Sequence, residues 1–364
     1  MKKTSRRSGP VRLAIIGTGG MARQHAIKFK EVKGCTLVAA VDVSRERAET
    51  FAQTHGIPEI YGSVDELLAA GTVDAVAIVT PDAFHAEVAI QCLKAGKHVL
   101  CEKPLAVNYP DAQRMVKAAA KAGVINMVNF SYRDMPSLQA VAKLVHSGKL
   151  GEIRHVEASY LQSWLASKVW GDWRTDPKWL WRLSSQHGSK GVLGDVGVHI
   201  LDFATFPAGP LKSVYCKLKT FDKAPGNRIG EYLLDANDSA VMTVEFANGA
   251  LGTIHTTRWM GGHANRLYLK IAGTLGSVVI DGDWGTNVYR TSLGSNLDKA
   301  KWREHKAPRT PNNYARFIRG IRTGKQEEPT FARGAEVQRV LDACYVSDGK
   351  NAPVKLPAAK AKAH

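Results

Sequence analysis

The stretch Val11-Arg12-Leu13-Ala14-Ile15-Ile16-Gly17-Thr18-Gly19-Gly20-Met21-Ala22 constrains this chain more than any other. A short apolar run breaks into Gly17-x-Gly19-x-x-Ala22 and then into a helical pattern through Phe29. Parallel strands are buried on both faces, so a near-continuous apolar run reads as one of them. Glycine at 17 permits a tight turn, and glycine at 19 lets the backbone approach a pyrophosphate. The small Ala22 lets the following helix pack close to the strand, with the phosphate at its positive end. Such turns also occur without a nucleotide, so the context decides. Asp42 ends the run Leu37-Val38-Ala39-Ala40-Val41 about twenty residues on, where a carboxylate meets ribose hydroxyls. Gly17, Thr18, Gly19, Gly20, Met21, Ala22 and Asp42 are therefore the expected phosphate and ribose contacts.

Residues 11–129 keep alternating strand and helix. Ser44 and Ser63 stand where helix caps belong, Ala75–Val79 is a strand ended by Thr80-Pro81, and His98–Cys101 is a strand followed by Glu102-Lys103-Pro104. This rhythm predicts a doubly wound parallel sheet, an α/β Rossmann architecture whose ligands sit outside the C-terminal strand ends. Gly17, Asp42, Thr80 and Lys103 all fall at such ends. From Asp134 the pattern changes to strands of period two, as in Ala240-x-Met242-x-Val244-x-Phe246, with an Asn248-Gly249 hairpin signal. A second α/β domain with a large open, mainly antiparallel sheet is expected. The predicted division is a basic tail at 1–10, a dinucleotide-binding domain at 11–129, a substrate-binding and oligomerisation domain at 130–350, and a Lys/Ala tail at 351–364.

The formal charge of +17 raises the question of nucleic acid. Eight of the basic residues (Lys2, Lys3, Arg6, Arg7, Lys350, Lys355, Lys360 and Lys362) lie near the two ends, nearly half of the excess. A nucleic-acid stripe needs clustering on a structured face, so no nucleic-acid partner is expected. No apolar run approaches a membrane span, and no cleavable signal follows Arg6-Arg7, so no membrane partner is expected. The five cysteines show neither metal spacing nor a disulfide framework, which suits a reducing cytoplasm.

Two segments carry chemistry. Lys103, directly after a strand, projects into the crevice; a cationic nicotinamide nearby would lower its pKa, whereas the bland alternative is a surface lysine beside a turn proline. In Gly194-Asp195-Val196-Gly197-Val198-His199, Asp195 and His199 are four apart, so on a helix their side chains share a face at about 5–6 Å. Hydride removal from a secondary alcohol needs a base for the hydroxyl proton, and histidine titrates near neutrality. A helix cap and a satisfied core histidine are the alternatives. No third ligand with suitable spacing accompanies the pair, so no metal is expected.

With these motifs in order, the chain resembles the glucose–fructose oxidoreductase / inositol dehydrogenase family of sugar and polyol dehydrogenases. The matching residues are Gly17–Ala22, Val79-Thr80-Pro81-Asp82-Ala83-Phe84-His85, Glu102-Lys103-Pro104-Leu105, Ser147–Ile153, Gly194-Asp195-x-Gly197-x-His199-x-x-Asp202, Phe246–Ala250 and Ala272-Gly273-Thr274-x-Gly276. The resemblance implies hydride transfer between a ring hydroxyl of a sugar, polyol or glycoside and NAD. It implies Lys103, Asp195 and His199 as the catalytic set with His199 as base, and a cofactor site that adds Thr80, Pro81, His85 and Glu102. It implies a homodimer or homotetramer through the open sheet. Asp42 favours NAD; Arg45 and Arg47 leave NADP open, and Arg47 otherwise lines the adenosine. Five of the eight tryptophans fall in 164–181, beside Arg174 and Arg182. Aromatic faces stack on sugar C–H faces, so Trp173, Arg174 and Trp181, with Tyr132 and Arg133, are expected to bind substrate. His187 and Lys190, where the family usually has small residues, point to an anionic sugar as one option. The alternatives are an NAD-dependent glycoside hydrolase working through transient C3 oxidation, with Tyr132 as second base, and a non-enzymatic NAD-sensing regulator.

Overall fold

The first strand of the computed structural model, which describes residues 9–357, is β1 (Val11–Ile16), as its apolar run requires. It joins β2 (Cys35–Val41), β3 (Glu59–Tyr61), β4 (Ala75–Ile78), β5 (His98–Cys101) and β6 (Asn126–Val128) in a wholly parallel sheet of order β3-β2-β1-β4-β5-β6. The order reverses between β1 and β4, and in such sheets ligands bind at that reversal. Local sequence sets the helix ends. Ser44 and Ser63 accept from the backbone N–H groups of Arg47 and Glu66, and Gly56, Gly71 and Gly123 close helices in the left-handed conformation.

The chain divides into two units, Met1–Ser131 with Pro311–Gln338, and Tyr132–Thr310 with Arg339–His364. The return of 311–338 to the first unit departs from the expected single division near 130. Its cause is the helix Asn313–Thr323, capped by Asn312, whose Tyr314, Phe317 and Ile318 are buried in the same core as Val11, Leu13, Ile15 and Phe29. Phe29 meets the Tyr314 ring edge to face with centroids 4.9 Å apart.

The second unit carries β7 (Ile153–Leu161), β8 (Leu211–Lys219), a short ribbon of β9 (Arg228–Ile229) and β10 (Tyr232–Leu233), then β11 (Ser239–Phe246), β12 (Leu251–Thr257), β13 (Arg266–Gly273), β14 (Gly276–Asp281), β15 (Val288–Leu293), β16 (Arg303–Lys306) and β17 (Val354–Lys355). Nine of them form one sheet, β16-β15-β14-β13-β7-β12-β11-β8-β17. It is antiparallel except where β12 lies parallel to β7. The period-two pattern holds in β11, where Ala240, Met242, Val244 and Phe246 are buried while Val241 and Thr243 are exposed. β8 alternates the buried Val214 and Cys216 with the exposed lysines 217 and 219.

The expected tail at 351–364 needs correction. Val354 and Lys355 pair with Val214 and Ser213, and Leu356 is buried, so this stretch continues the sheet. The basic tail expected before residue 9 and the Lys/Ala tail after 357 lie outside the described residues. Among the described residues no helix is long and apolar enough to cross a membrane, and no group of three or more His, Cys, Asp or Glu could hold a metal ion.

Candidate active site

In the first unit the glycine turn is dictated by space. Gly17 has φ +89°, and a Cβ there would lie 2.8 Å from Thr80 N and Val79 C. A Cβ built at Gly19 or Gly20 meets nothing within 4 Å, and the helix Gly20–Lys30 starts at Gly19 with no side-chain cap. Ala22 N–H donates to the Gly19 carbonyl at 3.0 Å, which leaves the N–H groups of Gly20 and Met21 to an anion in an open cradle, and this fits a pyrophosphate. Ala22 is fully buried against the sheet, and Met21 is exposed.

Asp42 gathers four donors. Its Oδ2 accepts from Thr18 N at 2.9 Å and Thr18 Oγ1 at 2.8 Å, and its Oδ1 from Ser44 N at 2.9 Å and Arg47 Nη2 at 2.8 Å. Burial pushes this carboxyl up, but the bonds from Arg47, Ser44 and Thr18 outweigh it and hold it at about 2. An ionised acceptor at the end of β2 suits ribose hydroxyls, and the Arg47 guanidinium is held by Asp42.

At the end of β4, Thr80 Oγ1 is buried without a hydrogen-bond partner, an orphan suited to a bound group. Pro81 precedes the turn Asp82–Phe84. His85 is almost fully buried, with Nδ1 2.8 Å from the Pro104 carbonyl oxygen and Nε2 2.9 Å from that of Thr80. It therefore ties the end of β4 to the Lys103-Pro104 segment, and its ring nitrogens face the protein.

Glu102 is also turned inward. Its Oε1 accepts from His25 Nε2 at 2.7 Å and Asn129 Nδ2 at 2.7 Å, and its Oε2 from Lys103 N at 3.1 Å. Burial raises this carboxyl, but His25, Asn129 and the Lys103 charge hold it at about 2. Glu102 thus fixes the backbone that presents Lys103. His25 and Asn129 were not foreseen, because their link to Glu102 spans 77 and 27 residues and leaves no local spacing to read. As the folded value lies below the usual 4.5, this carboxylate contributes stability in full above about pH 4.5, and that contribution fades as pH falls toward 2. Glu102→Gln should melt below the wild type at pH 7, with the gap narrowing as acid is added. A gap in thermal midpoint that stays constant from pH 7 to 3 would refute this.

In the second unit Asp195 sits in a π-helical turn, Leu193–Gly197, that runs directly into the helix Val198–Ala208 bearing His199. π-turns recur at functional sites. Gly194 is required by space, since a Cβ there would lie 2.3 Å from Lys190 Cβ; one at Gly197 would meet only the tip of the Leu193 side chain, at 2.9 Å. Asp195 Oδ2 accepts from Arg182 Nη1 at 3.1 Å and Arg258 Nη2 at 3.0 Å. His199 is buried, with the Tyr132 ring edge-on at 4.9 Å and Tyr160 at 6.3 Å. Tyr132 and Tyr160 share a 2.5 Å hydroxyl contact, and Asn265 bonds both.

Two expected substrate residues have other work. Arg133 is buried, forms a bidentate pair with Asp202 at 2.6 and 2.7 Å, and lies over the Phe206 ring. Trp173 is also buried; its indole N–H donates to the Leu165 carbonyl and the Arg174 guanidinium sits 4.4 Å from its ring. Neither offers a face to a sugar. The tryptophans instead build a satellite core of Trp164, Trp173 and Leu180 with Trp170 and Trp179 packed on it, because aromatic area is most stabilising when buried. Trp181 stays 41% exposed, covered on one side by Arg182 at 4.7 Å, and Arg174 is half-exposed, so these two remain open to a ligand. His187 packs against Tyr232 with the rings tilted by 41° and centroids 4.4 Å apart.

Residues 11–130 match the family model described as "Oxidoreductase family, NAD-binding Rossmann fold", and residues 138–279 match the GFO/IDH/MocA C-terminal domain. The levoglucosan dehydrogenase of Pseudarthrobacter phenanthrenivorans is 26% identical, over 95% of this chain and 98% of that protein. The D-glucoside 3-dehydrogenase of Escherichia coli is 30% identical, over 70% of this chain and 72% of that protein. Among solved structures, an oxidoreductase domain protein from Kribbella flavida superposes with a TM-score of 0.85 at 30% identity, covering 96% of this chain and 100% of that one.

Proposed function

The chain belongs to the GFO/IDH/MocA oxidoreductases, an NAD(P)-dependent sugar and polyol dehydrogenase by family, and from that premise we propose that it oxidises a ring hydroxyl of a sugar, polyol or glycoside. Lys103, Asp195 and His199 form the proposed catalytic set. The glycine turn and Asp42 would hold NAD, which would supply the hydride acceptor. His199 takes the hydroxyl proton, a role suited to imidazole near neutral pH. Asp195 holds a substrate hydroxyl by its ionised carboxylate, and Lys103 donates a hydrogen bond to the reacting oxygen. The observation that carries this reading is the π-helical turn 193–197, which sets a guanidinium-held carboxylate directly before a buried histidine packed against Tyr132.

Trp181, Arg174 and Arg182 are the proposed substrate contacts. The glycoside hydrolase route would need a second base. Burial pushes the Tyr132 phenol up, opposed by its bonds to Tyr160 and Asn265, so it stays a neutral hydroxyl at physiological pH and does not favour that route.

The test is NADH formation at 340 nm (the usual nicotinamide absorbance, roughly placed) with levoglucosan, methyl β-D-glucoside, myo-inositol, glucose 6-phosphate and glucuronate. Turnover of at least one, with net NADH and no release of methanol from the glycoside, is the expected result. Protein that binds NADH yet reduces no NAD with any of them would end the proposal.

A further inference from the structure

Arg258 stands just beyond β12 and belongs to none of the motifs that drew attention to the site. Its backbone N–H donates to the Asp238 carbonyl at 3.1 Å, and its side chain has no solvent exposure. The guanidinium lies 5.0 Å from the Trp164 ring, Nη2 donates to Asp195 Oδ2 at 3.0 Å, and Nη1 donates to the Arg182 carbonyl at 3.1 Å. Arg182 reaches the same Oδ2 from the more exposed side, its own side chain 31% exposed. One carboxylate oxygen therefore receives two guanidinium groups, one of them wholly out of water. The other nearby anion, Asp238, is engaged by Lys223 at 2.8 Å in a pair with no exposure on either side.

A guanidinium does not lose its proton in a protein, so at a buried position it must keep its anion. Burial pushes Arg258 down, and Asp195 and Asp238 oppose that shift. We propose that Arg258 is a positioning residue of the dehydrogenase site, acting through Asp195 by fixing both the direction and the ionised state of its carboxylate from the buried side. Asp195 then meets substrate only as a hydrogen-bond acceptor. The fork matters as well as the charge, because Nη1 and Nη2 bridge two separate acceptors, which a lysine ammonium on a flexible stem reproduces poorly. The proposal rests on Asp195 belonging to the site proposed above.

The experiment uses the full chain and the variants R258K, R258M, D195N and D195N/R258M, with two readouts. The first is thermal midpoint, which needs no turnover. Removing either partner strands or unbalances the other, so the double variant should lose clearly less than the sum of R258M and D195N. The second is kinetics on whichever probe of the panel the wild type oxidises. R258M should lower kcat on the order of 100-fold with NADH affinity unchanged by fluorescence titration, and R258K should recover part of it. Midpoint losses that simply add overturn the proposal, as does a folded R258M or R258K enzyme with wild-type kcat. If no probe is oxidised by the wild type, the proposed reaction fails, while the midpoint cycle still decides whether Arg258 holds Asp195.

Discussion

His199→Ala is expected to lower kcat by roughly 10²- to 10⁴-fold, the usual contribution of a positioned general base, while NADH still binds. The reasoning starts from placement. His199 follows a π-helical turn packed closely enough that a Cβ at Gly194 would lie 2.3 Å from Lys190 Cβ. Tyr132 meets its ring edge-on, with an interplanar angle of 80°, and fixes the plane of the imidazole. Alanine removes the ring and opens a void beside Tyr132, so some loss of thermal midpoint accompanies the kinetic loss. His199→Gln fills most of that volume without a group that titrates near neutrality, and separates the two effects. It should restore the midpoint and not kcat. A His199→Gln enzyme turning over within twofold of wild type would remove His199 from the chemistry.

The second large effect is expected at the glycine turn, where two neighbouring glycines should behave differently. Gly17→Ala sets a Cβ 2.8 Å from Thr80 N and 2.9 Å from the Val79 carbonyl oxygen, at φ +89°. Both neighbours are backbone atoms at the end of β4, so neither can turn aside, and a non-glycine residue at positive φ costs about 1–3 kcal/mol before the clash is counted. Gly17→Ala should therefore lose both thermal midpoint and NADH affinity, the latter by at least about tenfold, which corresponds to about 1.4 kcal/mol. Gly19→Ala places its methyl in open space at a negative φ of −70°. That variant should keep the midpoint and still bind NADH poorly, because the methyl occupies the approach of the pyrophosphate. Titration of NADH fluorescence together with a thermal melt reads both. Gly19→Ala protein with wild-type NADH affinity would show that the cofactor phosphates lie elsewhere.

Five of the six parallel strands could be read from sequence because each folding instruction is local; β3 is three half-buried residues, Glu59–Tyr61, and offers no apolar run to read. Val11–Ile16 and Ala75–Val79 are apolar on both faces, and Ser44, Ser63 and the closing glycines mark the helix ends within a turn. β8 was harder, since its lysines 217 and 219 sit on an outward face and dilute the apolar signal. The motif residues Lys103, Asp195 and His199 stand out by pattern, but their surroundings do not. Arg133 finds Asp202 69 residues away, Arg258 finds Asp195 63 away, and Glu102 finds His25 77 away. Contacts of that span have no period or spacing, so an arginine that binds substrate and one that braces a helix look alike in a string of letters. Trp173 teaches the same about aromatic clusters, whose members divide between core and surface only once the chain is folded.

The helix Asn313–Thr323 bears on how the cofactor-binding unit comes into being. All six of its strands have been synthesised once Val128 is made, yet Tyr314, Phe317 and Ile318, which share a core with Phe29, are still almost two hundred residues from synthesis. The nascent sheet thus spends the translation of most of the second unit with an uncovered apolar flank. No single cut isolates this half of the protein: a fragment ending at Ser131 keeps every strand and the whole glycine turn but lacks part of its own interior.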